Sequence, residues 1–554
     1  MATTKPADAA SGAAASASGE PANAKMVLLT LIAVAAVANL PLAMANVALP
    51  TIGTYFDASQ LQLNLVAVAY SLGLACSVLW LGAVGDRYGR KMMALIGVAL
   101  AIPAALISGF APSIEILFVG RLFGGFTAGM AYPTTLALIA ALWGAGAART
   151  RAIALWAAIG GAISVSGPLL SGIILQIPLY WGWVFWIVIP LALLAVVLAM
   201  KFIPAHVNEA TEPVDHLGGI ISVILIGSFV LSINFLPVAG YQQFAVALLV
   251  IAAIALVVFV FRQRRAKNPL YDLKVARRPT FWVAAVGGII IFGSLMGAMF
   301  IGQQYMQDVL GYSTVNAALP ALFAGVFMIM AAPISAILVE KNGSRATLLR
   351  GYVFIFLGFL TMLLLWTETA SFWVVALAFV FVGIGIGLSG TPASRSLTGS
   401  VPVTRVGMAS GTADLQRDLG GAIFNSLFGA LLAAGYAAAM AGMIAASPDA
   451  AAVPASVSSG LEMSYAGAQT VAAEYPQYAT QITAAAKTAF LDGDQYAYLA
   501  GIIAVLVGAA LVFFVFPKHD RERMMLVNFH QEDAAEMKAK EKAAAAPAAA
   551  SASK

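Results

Sequence analysis

The chain has 554 residues, 61% of them hydrophobic and 10% charged, with a formal net charge of +5. A soluble domain carries about 25% charged residues, so too little polar surface is present here to coat a water-soluble globule. The single cysteine, Cys76, excludes an intrachain disulfide and a thiolate metal cluster within one chain. The basic excess does not point to nucleic acid either, because it lies in short turns between apolar runs.

Residues 1–25 are Ala/Ser-rich and read as a disordered tail. The run Met26–Leu49 could imitate a signal peptide, but it is long enough to cross a bilayer uncleaved. Further runs of spanning length follow at Leu63–Leu81, Met92–Phe110, Ile114–Leu142, Ala152–Leu175, Trp183–Phe202, Leu217–Leu236 and Phe244–Phe261. After a basic loop come Phe281–Tyr305, Ala317–Val339, Leu348–Trp366, Phe372–Pro392, Val406–Ala434 and Tyr496–Phe516. These make fourteen predicted spans. With the N-terminus inside, Lys487 is the one basic residue in an outward turn, and Arg121 and Arg417 lie within spans. Every other Lys and Arg falls in an inward loop or tail or, as Lys201 and Arg350 do, at the inward end of a span, which predicts cytoplasmic termini.

The inward loop Arg262–Pro279 is strongly basic and reads as a topogenic anchor on an anionic leaflet. The outward segment 435–495 is long and Ala-rich, and Tyr478–Leu491 predicts a short amphipathic helix on the outer surface. From Lys518 the chain becomes charged, then Ala/Lys-rich, and reads as a cytoplasmic tail.

An internal repeat organises these spans. Gly85-Asp86-Arg87-Tyr88-Gly89-Arg90-Lys91 follows the second span, and Val339-Glu340-Lys341-Asn342-Gly343-Ser344-Arg345 follows the tenth. In each inward turn an acid and a base precede a Gly and then a further base. Two such turns predict two related six-span halves, 26–203 and 280–517, with two extra spans inserted over 204–279. Internal repeats of this sort are a hallmark of transporters.

The stretch Gly82 to Lys91 closely resembles the cytoplasmic loop motif of the major facilitator superfamily. Several further stretches are similar to the fourteen-span drug:proton antiporter branch of that superfamily. They are Asn46-Val47-Ala48-Leu49-Pro50, Arg121 with Gly124, Gly125 and Gly129, and Gly167-Pro168-Leu169-Leu170-Ser171-Gly172. Trp181-Gly182-Trp183 and Arg417-Asp418-Leu419-Gly420-Gly421 belong to the same set. The resemblance implies an all-α membrane fold of two pseudo-symmetric six-helix bundles plus two spans, with alternating access. It implies a conformational latch at Gly82, Gly85, Asp86, Arg87, Gly89 and Arg90, with Glu340 and Arg345 as the counterpart. It also implies an antiporter-type Gly-Pro motif at Gly167, Pro168 and Gly172.

Departures from the branch bear on coupling. Leu40 stands where the branch usually has an aspartate in the first span, and Ile163 replaces a motif glycine. Gly182 and Val188 stand where Arg and Asn are usual. The thirteenth span instead carries Asp414, Arg417 and Asp418, spaced to share one helix face. A charge at a helix centre costs roughly 2.5–3.5 kcal/mol on the insertion scale, so such groups are functional by default. Two adjacent carboxylates rarely both ionise, which makes this face a predicted proton site together with Arg121. Candidate walls of a substrate cavity are Asn39, Asn46, Tyr132, Trp156, Gln303, Gln304 and Asn425.

The four histidines fall in loops or tails, and no phosphate-binding loop pattern is present. Neither a histidine metal site nor ATP-driven pumping is therefore expected, and no cofactor or catalytic constellation appears. The expected function is proton-coupled efflux of small amphiphilic or drug-like compounds across a bacterial inner membrane, by a monomer. The alternative on the same fold is a metabolite or organic-anion carrier, including proton-symport uptake, which Arg121 and Arg417 would suit.

A labelling experiment checks the topology. A cysteine within 435–495 should react from outside with an impermeant thiol reagent, and Lys267→Cys should not. The reverse pattern would overturn the span count.

Overall fold

A chain this apolar satisfies its backbone by coiling, since each helical N–H finds a carbonyl four residues back without help from water. The computed structural model describes residues 20–58, 60–177, 180–205, 212–236, 238, 240–447 and 453–552. Most of the predicted tail at 1–25 lies outside the described residues. Among the described residues every regular element is helical.

The first half comprises α1 (Ala24–Phe56), α2 (Gln60–Tyr88), α3 (Arg90–Gly109), α4 (Ile114–Leu142), α5 (Ala147–Gln176) and α6 (Trp183–Phe202). Two inserted helices follow, α7 (His216–Phe235) and α8 (Gln242–Arg265), and then α9 (Pro279–Val309). The helix Thr314–Leu365 contains a non-helical residue, Gly343, with φ 80° and ψ 170°. Its candidate span Val315–Leu365 has 51 residues. At ~1.5 Å per residue that is roughly 77 Å, more than twice the ~30 Å hydrocarbon core. It is two spans, α10 (314–342) and α11 (344–365), joined at the Gly343 turn. The remaining helices are α12 (Phe372–Gly399), α13 (Val406–Ala446), α14 (Ala479–Val515) and a terminal helix α15 (His519–Ala552). Among the described residues thirteen helices are long and apolar enough to cross a membrane, and resolving the kinked one gives the expected fourteen spans.

The repeat is visible in backbone geometry. Gly89, between α2 and α3, has φ 118°, and Gly343, its counterpart between α10 and α11, has φ 80°. Both are conformations that L side chains rarely adopt, so each inward turn needs its glycine.

One expectation is corrected. No separate amphipathic helix covers Tyr478–Leu491; α14 begins at Ala479 and runs unbroken. The reason is packing: an added Cβ on Gly493 would strike the Leu432 carbonyl oxygen, and one on Gly435 would strike Tyr496 and Gly493. α13 and α14 therefore run side by side beyond spanning length, and the connection between them shrinks. It contains two short helices, Ala455–Met463 and Tyr465–Glu474.

The inserted pair has a defined seat. α7 lies on α2, where Gly219 meets Trp80, Gly227 meets Cys76, and the Trp80 indole donates to His216 Nδ1 at 3.2 Å. Leu415 and Leu419 of α13 join the same apolar cluster, and Ser426 donates to the Ile233 carbonyl at 3.0 Å. α7 thus covers the seam between α2 and α13. The terminal helix is anchored too: Arg278 pairs with Asp533 at 2.6 and 3.0 Å and lies 4.4 Å from the Phe529 ring centroid.

Close helix approach supplies a stability test. An added Cβ on Gly125 of α4 would strike the Tyr70 carbonyl of α2, whereas Gly442 of α13 has nothing within 4 Å. Gly125→Ala should destabilise the protein by about 1–3 kcal/mol. Gly442→Ala should be neutral or raise stability by up to ~1 kcal/mol. Thermal unfolding in detergent measures both; equal effects would contradict the tight α2–α4 crossing.

Candidate functional site

Three polar constellations interrupt the apolar interior, at different depths. The first lies at the face where α2 ends and α13 begins. Asp86 is buried and pairs with Arg90 at 2.7 Å. Its other oxygen accepts the Gly407 N–H at 2.7 Å, in the first turn of α13. A carboxylate at a helix N-terminus meets both unpaired amides and the positive end of the dipole. Arg90 reaches across as well, donating to the Val403 carbonyl at 2.7 Å. The Cβ that Gly82 lacks would lie 3.0 Å from the Gly407 carbonyl oxygen, so the close approach needs that glycine. Gly85 gives similar clearance to Met93 and Thr134. Arg87 lies 5.6 Å from the Tyr88 ring centroid.

The counterpart turn is built differently. Glu340 has a buried Oε1 without a hydrogen-bond partner, and Arg345 donates to the Phe513 carbonyl and lies over that ring. The N-terminus of α11 is capped instead by Glu522 of α15, which accepts from the Ser344 amide at 2.9 Å and its hydroxyl at 2.5 Å.

The second constellation lies at mid-depth. Arg417 of α13 sits among three rings, 5.1 Å from Tyr132, 5.2 Å from Trp156 and 4.9 Å from Phe292. Tyr132 and Trp156 belong to the first half and stack at 5.6 Å; the Trp156 indole donates to Thr135 at 2.9 Å. Cation–π attraction of this kind is worth up to about 2 kcal/mol each when water is excluded. Asp414 is buried with both carboxyl oxygens unpartnered, and Asp418 has a buried, unpartnered Oδ2. The two acids are near enough to interact electrostatically. A carboxyl group without a partner at this depth is a site that a proton or cation can satisfy.

Arg121 stands apart from that group, inside the first half. It donates to the Pro41 carbonyl at 2.8 Å and lies 5.0 Å from the Tyr70 ring centroid. Its Nη2 is buried without a partner. Tyr70 donates to the Ala38 carbonyl at 2.5 Å.

The third feature is a cavity of about 520 Å³ near the far ends of α2, α9 and α13, and Gln304 and Asn425 line it. Gln303 is not among its lining residues, and Asn39 satisfies its amide on the Ala35 carbonyl at 3.0 Å. Tyr132 and Trp156 form the Arg417 cage and do not line this cavity. The Asn46 side chain lies outside the described residues. Gly167 packs on Ala43 and Gly172 on Val315, so the Gly-Pro stretch, with Pro168 inside α5, sits between α1 and α10. Sequence reasoning missed Phe292, Tyr70, Asp308 and Glu522. Asp308 alone carried a usable signal, being an acid at the edge of a span.

Comparison with known proteins follows the same lines. A family model described as Major Facilitator Superfamily matches residues 31–425. Multidrug resistance protein Stp of Mycobacterium tuberculosis is 30% identical over 381 residues, covering 68% of this chain and 70% of that protein. Multidrug efflux pump LfrA of Mycolicibacterium smegmatis is 29% identical over 471 residues, covering 85% and 92%. Two solved structures share the fold at 14% identity and TM-score 0.54. One is the human organic anion transporter MFSD10, with 88% of this chain and 98% of that chain covered. The other is the proton:xylose symporter XylE, with 89% and 96% covered.

Asp86→Asn removes the charge of the carboxylate that Arg90 and the Gly407 amide share, and breaking a buried ion pair costs about 3–5 kcal/mol. Faster modification of a cysteine placed at Val403 is the expected outcome, with slower transport at equal membrane abundance. Unchanged labelling would show that closure of this face does not depend on the carboxylate.

Proposed function

Because the chain belongs to the Major Facilitator Superfamily, we propose that it exports small amphiphilic, drug-like compounds across the bacterial inner membrane in exchange for protons. The names of its relatives, multidrug resistance protein and multidrug efflux pump, support the substrate class. The charge distribution supports both termini in the cytoplasm. In that orientation the Asp86–Arg90 pair closes the cytoplasmic face, and the halves 26–203 and 280–517 rock about the mid-depth site.

The single observation that carries the coupling reading is Asp414, a fully buried carboxyl group with both oxygens unpartnered. A proton entering from outside gives it a hydrogen to donate and removes the penalty of a bare charge at depth. Asp418 is the neighbouring acid that discourages double ionisation, and Arg417 holds the compensating charge within reach of both halves. The membrane potential contributes about 2.3 kcal/mol per elementary charge per 100 mV to such a step. Re-opening toward the cytoplasm separates Tyr132 and Trp156 from α13, so the cage around Arg417 and the Asp86 contacts would open together. The anion-carrier alternative gains nothing from the cavity, whose lining includes Asp308 and no Lys or Arg.

The test is purified protein in proteoliposomes with an imposed proton gradient and a panel of compounds. The native protein should accumulate amphiphiles against their gradient. Asp414→Asn should abolish uphill accumulation and leave passive exchange intact, with Asp418→Asn doing less. Uphill transport by Asp414→Asn at the native rate would make that residue structural and refute the assignment.

A further inference from the structure

Two parts of this chain go beyond a pair of six-helix bundles: the inserted pair α7–α8, and the connection between α13 and α14. Both converge on the 520 Å³ cavity. Asn234, in the last turn of α7, and Val238, just beyond it, form one wall. Met463, Ser464, Tyr465 and Ala466, from the connection, line it as well. Ala67 and Val68 of α2 and residues of α9, α13 and α14 complete it, and α1, α4 and α5 contribute no lining residue. The cavity therefore lies to the side of the mid-depth site, at the α2–α13 seam that α7 covers.

The chemistry of the wall is one-sided. Asp308 is the one charged residue lining it. Its carboxyl group makes no hydrogen bond or ion pair with any described residue. Asp308 occurs in a π-helical turn, Tyr305–Val309, where Leu310 donates to the Tyr305 carbonyl at 3.2 Å. Such turns insert one residue into an α-helix and are frequent at functional sites. Gln304 lies one turn before it on the same wall, and the Asn425 side-chain oxygen is a buried acceptor without a donor. Around these acceptors stand the rings of Phe300, Tyr465 and Phe490, with Tyr465 and Phe490 edge-to-face at 6.1 Å. One carboxylate, unused carbonyl acceptors and aromatic faces together recognise an organic cation with an apolar body. The volume falls within the roughly 300–1,000 Å³ of small-molecule sites.

We infer that this cavity is a second binding site, an outer vestibule that holds a monovalent aromatic cation through Asp308 beside the Met463–Ala466 segment. The inference rests on the export reading only for the side of the membrane that the vestibule faces.

The test uses purified full-length protein, with ethidium as the cationic probe and Nile red as the neutral one. Asp308→Asn should weaken ethidium binding about tenfold, equivalent to about 1.4 kcal/mol, and leave Nile red within about twofold. Asp308→Glu should keep ethidium affinity near the native value. Equal weakening of both probes, or no change for ethidium, would overturn the vestibule. If Asp308→Asn does not fold, Ala466→Cys supplies the readout: ethidium, and not Nile red, should slow its modification by an impermeant thiol reagent. Absence of that protection would overturn the proposal as well. The two readings fail separately. A native protein that transports amphiphiles but binds ethidium independently of Asp308 keeps export and loses the vestibule. One that binds ethidium through Asp308 but moves nothing under a proton gradient does the opposite.

Discussion

Backbone hydrogen bonding in a solvent without water is the constraint from which the rest of this structure follows. With few charges, and with apolar residues on every helical face, each span must close its own ladder of N–H and carbonyl groups. Lipid gives the helices no hydrophobic reason to associate, so they are held by close packing over small residues. Gly125 against Tyr70, Gly82 against Gly407 and Gly493 against Leu432 are such contacts, two of them between neighbouring helices and one between halves. The polar groups that remain are then conspicuous, because nothing around them but other protein groups can satisfy them.

The two halves use helix ends in related but unequal ways. In the first, a carboxylate on the α2 turn caps a helix of the other half. In the second, the equivalent Glu340 is unpartnered at Oε1 and the nearby helix start is capped by Glu522 from α15. That cap joins elements of the same half, whereas the Asp86 cap crosses between halves. α13 carries the capped Gly407, the acid pair and Arg417 together.

Charge at mid-depth is managed here without close ion pairs. Arg121 is held by a backbone carbonyl and aromatic rings, and Arg417 by three rings. Rings accept a cation while leaving neighbouring carboxyl groups free to bind something else. A salt bridge would tie both partners and cost several kcal/mol of desolvation per ion to assemble. Both carboxyl oxygens of Asp414 and the Oδ2 of Asp418 are left without a partner, the feature on which the proposed proton site rests.

Hydropathy and charge placement determined the membrane class, the fourteen spans and the repeat. These depend on local composition, on span length against bilayer thickness, and on the fixed demand for Gly at Gly89 and Gly343. The sequence also marked Asp86, Arg90, Asp414, Arg417 and Asp418 as important, because charge within or beside an apolar run is visible in one dimension. Tertiary structure alone decided their partners. No spacing rule pairs Asp86 with an amide far along the chain, or encloses Arg417 between rings from both halves. It likewise decided that residues 479–491 belong to the long helix α14, since packing against α13 overrides local amphipathicity. And it joined the end of α7 to the α13–α14 connection around Asp308, a meeting of distant segments that hydropathy, which treats each span alone, has no means to record.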